Sequence, residues 1–142
     1  MMRFNMTKNC ISLLLLFSLL VFTGCGSNVG LMGKVVFSDD GSPVPAGMVC
    51  LEGDTHFARA VIQPDGTFTV GSLGAKDGLP PGVYRVYISG AEEVVGQTPS
   101  GDDIFAQLVD RKFTSPETSG ITIDISRTTR DFVIEVDRAP RR

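Results

Sequence analysis

Three cysteines, one histidine and three short acidic clusters carry the reactive chemistry of this 142-residue chain. Cys25 has the most telling surroundings. Thr23 and Gly24 place small residues directly before its thiol, at the end of an apolar run, which suits a cysteine processed during export. Cys10 lies upstream of that point, so Cys50 keeps no intramolecular partner once the Cys25 thiol is occupied. Cys50 reads as a small apolar residue buried in a strand. A zinc centre takes about four ligands, yet His56 and Cys50 are then the only nitrogen and sulfur donors left, so no metal or cofactor is expected. No Gly-x-Ser-x-Gly arrangement supplies a nucleophile for His56 to activate. His56 reads as a polar residue at a strand edge, and no catalytic residue is assigned. Oxygen donors occur at Asp39-Asp40, at Glu52 with Asp54, and at Asp102-Asp103. These could attract calcium, but none has EF-hand spacing and each lies among turn residues.

The segment before Cys25 supports the export reading. Arg3 and Lys8 form a positive start, and residues 11–22 form an apolar run of twelve that is interrupted by Ser12 and Ser18. A bilayer span needs about 20 apolar residues at a 1.5 Å helical rise, so a cleaved signal fits better than a transmembrane helix. Ordinary secretory cleavage wants small-x-small before the cut, whereas Phe22 fills the first of those positions. Phe22-Thr23-Gly24-Cys25 resembles a bacterial lipobox, with Phe22 in place of the usual Leu. The resemblance implies acyl chains, palmitate among them, on Cys25 and removal of residues 1–24. Gly26 follows the cysteine instead of the Asp that retains such lipoproteins at the inner membrane, which favours the outer membrane, facing the periplasm or the cell surface. Cleavage leaves 118 residues, enough for one two-layer domain. It removes two cations and no acid, so the net charge moves from −3 to −5. An acidic body of this kind argues against a nucleic-acid partner.

Downstream, short runs of alternating character separated by Gly, Pro and Asp clusters predict an all-β domain over residues 33–137. Residues 25–32 read as a lipidated N-terminus and tether, and residues 138–142 as a solvated basic tail. Strands are expected at 34–37, 48–52, 57–63, 67–73, 83–88, 121–126 and 132–136. The turn Pro64-Asp65-Gly66 predicts a hairpin between the third and fourth, and residues 127–131 predict another between the last two. Both faces of 83–88 are largely apolar or aromatic, which predicts a central strand covered on both sides. Ile121, Ile123 and Ile125 define one core face. Residues 90–116 are the least regular: 91–95 and 102–109 each fit a strand or a short helical turn, and the stretch reads as a mobile loop region. About seven strands in this pattern predict a Greek-key β-sandwich.

Four motifs then occur in order: Gly33-Lys34-Val35-Val36-Phe37, Gly41-Ser42-Pro43-Val44-Pro45-Ala46-Gly47, Pro64-Asp65-Gly66-Thr67-Phe68 and Leu79-Pro80-Pro81-Gly82-Val83-Tyr84-Arg85-Val86. Together they resemble a carboxypeptidase regulatory-like domain of the transthyretin-like (prealbumin-like) superfamily. With the leader and the later Ser115-Pro116-Glu117-Thr118-Ser119-Gly120-Ile121-Thr122, the whole is similar to small planctomycete-type lipoproteins. The resemblance implies a non-catalytic companion module rather than a peptidase. A related purine-catabolism hydrolase ends in Tyr-Arg-Gly-Ser and uses several histidines; this chain ends Arg-Ala-Pro-Arg-Arg and has one. The expected function is therefore a structural or protein-interaction module, lipid-anchored at the cell envelope, with an envelope protein or glycan as partner. The alternative is a ligand-binding module for envelope glycan or calcium. Sugar stacking has little support, since there is no Trp, and Tyr84 and Tyr87 differ by three positions and so face opposite ways on a strand. Cys25→Ser is expected to leave an unlipidated precursor or a soluble form; fractionation showing undiminished detergent-dependent membrane attachment would overturn lipidation.

Overall fold

Side-chain alternation along the strands sorts the chain into two layers in the computed structural model, which describes residues 28–71, 77–126 and 131–141. Cys25 and the leader lie outside the described residues. The strands are β1 (Leu31–Phe37), β2 (Met48–Glu52), β3 (Phe57–Val61), β4 (Thr67–Val70), β5 (Gly82–Ser89), β6 (Glu92–Gln97), β7 (Asp103–Gln107), β8 (Ile121–Ile125) and β9 (Phe132–Val136). One layer has the order β4-β1-β9 and the other β3-β2-β5-β8, while β6 and β7 pair only with each other. Seven strands thus build the sandwich, and a two-stranded hairpin is inserted between β5 and β8. The connectivity is Greek-key, since β4 returns to lie beside β1 after β2 and β3 have formed the opposite layer.

All pairs are antiparallel except β1 with β9, which run parallel from Gly33 opposite Phe132 to Phe37 opposite Val136. Between the layers, Leu31 and Val35 of β1, Phe68 and Val70 of β4, and Ile134 and Val136 of β9 meet Val49 and Leu51, Ala58 and Ala60, Val86 and Ile88, and Ile123 and Ile125. Tyr84 joins this core and donates its hydroxyl to the Pro80 carbonyl at 2.9 Å, so its one polar atom is satisfied.

Several expectations are corrected. Pro64-Asp65-Gly66 makes a tight turn, with Gly66 at φ +82° and the Asp65 carboxylate accepting from the Thr67 amide and hydroxyl. It does not make a hairpin, because β3 and β4 belong to different layers. Ala58 and Ala60 of β3 and Phe68 and Val70 of β4 are buried in one core from opposite layers rather than across a shared ladder. The same reason removes the predicted β8–β9 hairpin: Ile123 and Ile125 of β8 and Ile134 and Val136 of β9 enter the core from separate sheets. Strand β5 is central, as expected, but covered on one side only. Val83 is 63% exposed and Arg85 is exposed, because the outer face meets solvent apart from the single-turn 3-10 helix Arg111–Thr114. Nor is the stretch 25–32 all tether. Val29 exchanges backbone hydrogen bonds with Leu79 at 2.7 and 2.8 Å, and Leu31 is fully buried, since both apolar side chains occupy core positions.

Cys50 is buried, as expected, but not in the main core. It lies on the outer face of β2, opposite Arg59 and Tyr87, and burial pushes its thiol pKa up. Gly33 marks the tightest approach in the sandwich. A Cβ there would stand 2.3 Å from the Phe132 carbonyl oxygen and 2.5 Å from the Phe68 ring. Gly33→Ala is therefore expected to cost about 1–3 kcal/mol by overpacking, read as a lowered urea midpoint with an unchanged slope; a wild-type midpoint would refute the close approach.

Candidate interaction surface

The acidic clusters are occupied by local structure and by Arg138. Asp39 and Asp40 sit in the turn after β1, where Arg138 Nε donates to Asp39 Oδ2 at 2.9 Å and Arg138 Nη2 donates to Asp40 Oδ2 at 2.9 Å. The guanidinium also donates to Ser42 Oγ and lies 3.7 Å from the centre of the Phe37 ring. Arg138 is thus docked on the sandwich, not part of a solvated tail, because a planar cation over an aromatic face meets two carboxylates there. Glu52 accepts from Arg85 at 2.7 Å across the β2–β5 ladder. Asp102 accepts from Ser100 in the β6–β7 turn, and Asp103 accepts from Gln97 at 2.9 Å. No group of three or more His, Cys, Asp or Glu side chains placed to hold a metal ion occurs among the described residues. His56 is exposed in the β2–β3 turn, its Nδ1 lying 2.8 Å from Thr55 Oγ1.

The segment 136–139 continues past this clamp. Ser38 N donates to Val136 O, Asp110 N to Asp137 O, and Ala139 N to Leu108 O, so the chain end is stitched to the strand that leaves the inserted hairpin. Lys112 pairs with Asp137 from the 3-10 helix, whose first turn is capped by Asp110 accepting from the Lys112 amide. Ala91 and Val109 are buried at the hairpin base, where Leu108 N donates to Ala91 O. The parallel β1–β9 pairing fixes where this base lies. The chain enters β1 at Leu31 beside the start of β9, and the stitched segment follows the other end of both strands. Seven residues at about 3.3 Å each separate the two ends by about 20 Å.

Residues 90–116 therefore contain defined structure: two strands, with the 3-10 helix after them. The hairpin is apolar on the outside. Val94 lies directly opposite Phe105, and they are 54% and 59% exposed. Val95 and Ile104 are also exposed, with a bulge between Val94 and Gly96. Between the hairpin and the body runs a cleft of about 1080 Å³, which Glu93, Val95, Ala106, Arg111 and Arg141 help to line. A second exposed apolar set, Phe57, Val61 and Val83, is spread over the outer face of the four-stranded sheet around the Arg85–Glu52 pair. Sequence reasoning missed the hairpin surface because it carries no alternation: Glu92-Glu93-Val94-Val95 puts polar and apolar residues in pairs. The turn residues Pro99-Ser100-Gly101-Asp102 were the available signal.

No family model and no curated protein matches the chain. Among solved structures it is similar to a variant of the major pilin subunit of Bacillus cereus, at 11% identity and a TM-score of 0.48, over 80% of this chain. It is also similar to a 9R-lipoxygenase from Cyanothece, at 16% identity and a TM-score of 0.38, over 79% of this chain. The chain spans 30% of the pilin's length and 17% of the lipoxygenase's.

The clamp gives a pH dependence. Hydrogen bonds from the Ser42 hydroxyl and amide, aided by Arg138, lower the Asp40 pKa to about 2. A carboxyl whose folded pKa lies below its unfolded value stabilises fully above the unfolded pKa and progressively less as pH falls through the folded one. The contribution of Asp40 is thus complete above about pH 4 and lost toward about pH 2. Asp40→Asn is expected to flatten the melting-temperature profile in that window; an unaltered slope would show that the clamp does not act on folding.

Proposed function

We propose that this chain is a non-catalytic, lipid-anchored protein of the cell envelope. Cys25 carries the acyl chains, and a sandwich of the carboxypeptidase regulatory-like kind serves as a structural or protein-interaction module. The reading rests above all on the inserted hairpin, which presents Val94 and Phe105 to solvent from a base held by the stitched chain end. Exposed aromatic and aliphatic side chains held on rigid backbone are what association surfaces use as anchors. The outer membrane is the proposed location, given Gly26 after the lipidated cysteine. An anchor there confines the module to a surface and raises its effective concentration for partners on it.

One observation favours a second reading, a module that binds envelope glycan. The cleft beside the hairpin is large enough for a small ligand and combines carboxylates with arginines. Against it, Tyr84 is buried in the core, and the two tyrosines offer no common stacking platform. Calcium has less support, since Asp39, Asp40, Glu52, Asp102 and Asp103 are engaged by protein donors.

In-cell crosslinking of the lipidated protein through a C-terminal tag, followed by mass spectrometry, is expected to recover one recurrent envelope protein. Recovery of polysaccharide alone, together with a melting temperature raised by envelope glycan, would replace this reading with the second.

A further inference from the structure

The hairpin β6–β7 is a two-stranded sheet to which no third strand pairs among the described residues. Such a sheet is marginal in water by itself, and an open strand edge is a template for another strand. Its two edges differ. The bulge at Val94 and Gly96 interrupts β6, whereas β7 runs straight from Asp103 to Gln107 without a proline. Along one face, the apolar pair Val94–Phe105 lies between two polar pairs, Glu92–Gln107 and Gln97–Asp103. In each polar pair the amide donates to the carboxylate. A neutral amide holds the carboxylate in place without cancelling its charge.

Charge then selects the occupant. Residues 91–109 contain Glu92, Glu93, Asp102 and Asp103 and no Lys or Arg. A second copy of the hairpin would bring another four carboxylates and no cation, and the two like-charged hairpins repel. An anionic bilayer surface is disfavoured on the same ground, and the hairpin base lies about 20 Å along the β1–β9 ladder from the end at which the chain enters β1.

We propose that the β7 edge receives an extended segment of another protein that sets an apolar side chain against Phe105 and places Lys or Arg two positions away, against Asp103. Main-chain hydrogen bonds to β7 supply the attachment, and alternate side chains supply the choice of partner. This rests on the protein-interaction reading and gives it a surface and a partner chemistry.

The test uses the full chain in detergent and a labelled peptide of alternating threonines with the core Lys-Thr-Val-Thr-Lys, compared by fluorescence anisotropy with a version carrying Glu for Lys. The Lys peptide is expected to bind about tenfold more tightly than the Glu peptide, and Phe105→Thr to weaken it about tenfold. Asp103→Asn should weaken binding and reduce its salt dependence. Threonine keeps strand propensity at an exposed position, so an unchanged melting temperature confirms that Phe105→Thr is folded. Equal binding of the two peptides, binding of neither, or a Phe105→Thr affinity equal to wild type would overturn the proposal. So would dimerisation by sedimentation that Phe105→Thr abolishes, since a second copy would then be the occupant. If Phe105→Thr still crosslinks the recurrent envelope partner, the hairpin assignment fails and the interaction reading stands. If the peptide results hold but the cell yields no protein partner, the edge is real and the interaction reading fails.

Discussion

The parallel pairing of β1 with β9 is the constraint on which the rest of the molecule depends. A parallel pair cannot be closed by a tight turn, so everything between Phe37 and Phe132 serves as the crossover that connects its two strands. The intervening chain does this by changing layers three times, from β1 to β2, from β3 to β4 and from β4 to β5, and changes once more from β8 to β9. Gly33 permits the closure, because the Phe68 ring and the Phe132 carbonyl approach it from the two neighbouring strands. With the first and last described strands in one sheet, the polarity of their ladder separates where the chain enters β1 from where the hairpin base is stitched.

The clamp at Arg138 extends the ladder by chemistry that the strands do not provide. Past Val136 the chain could fray, as terminal segments do when nothing ties them down. Instead Asp137 takes Lys112 and Ser38, and Arg138 takes Asp39, Asp40 and the Phe37 ring. Exposed ion pairs taken singly contribute little. Here they share a bifurcated guanidinium already positioned by an aromatic face and by flanking main-chain bonds, so the ordering cost is spread over several contacts. The acids of the Asp39-Asp40 turn are thereby drawn into fastening the C-terminus and the hairpin base to the end of β1.

Local pattern made the two-layer character legible, and non-local choice limited the rest. The alternation at Ile121, Ile123 and Ile125, and again at Ile134 and Val136, is visible in the sequence because each strand has one buried and one solvated face. The turn at Pro64-Asp65-Gly66 is equally legible, yet turn residues specify a reversal and not the layer that the next strand joins. The layer is a non-local choice: β3 and β4 bury Ala58, Ala60, Phe68 and Val70 in one core from opposite sheets. Strand β5 misled through its composition, since Val83 and Tyr87 look like core residues but stand on the outer face. At the candidate surface, the carboxylates were legible as turn residues, whereas Arg138 and Asp39 are 99 positions apart and nothing in either local segment pairs them.

The hairpin differs from the sandwich in what holds it. Sandwich strands are fixed by burial between layers, but β6 and β7 have exposed residues on both faces and are held by their own ladder, by the polar pairs at Glu92–Gln107 and Gln97–Asp103, and by the base. Its local stability is therefore set at the base, where Ala91 and Val109 are buried, where Leu108 N donates to Ala91 O and where Leu108 O accepts from Ala139 N. An element held at its base in this way can add a strand without disturbing the core, because β6 and β7 form a sheet separate from those of the sandwich. The ladder that closes the fold thus also fixes the foot of the hairpin.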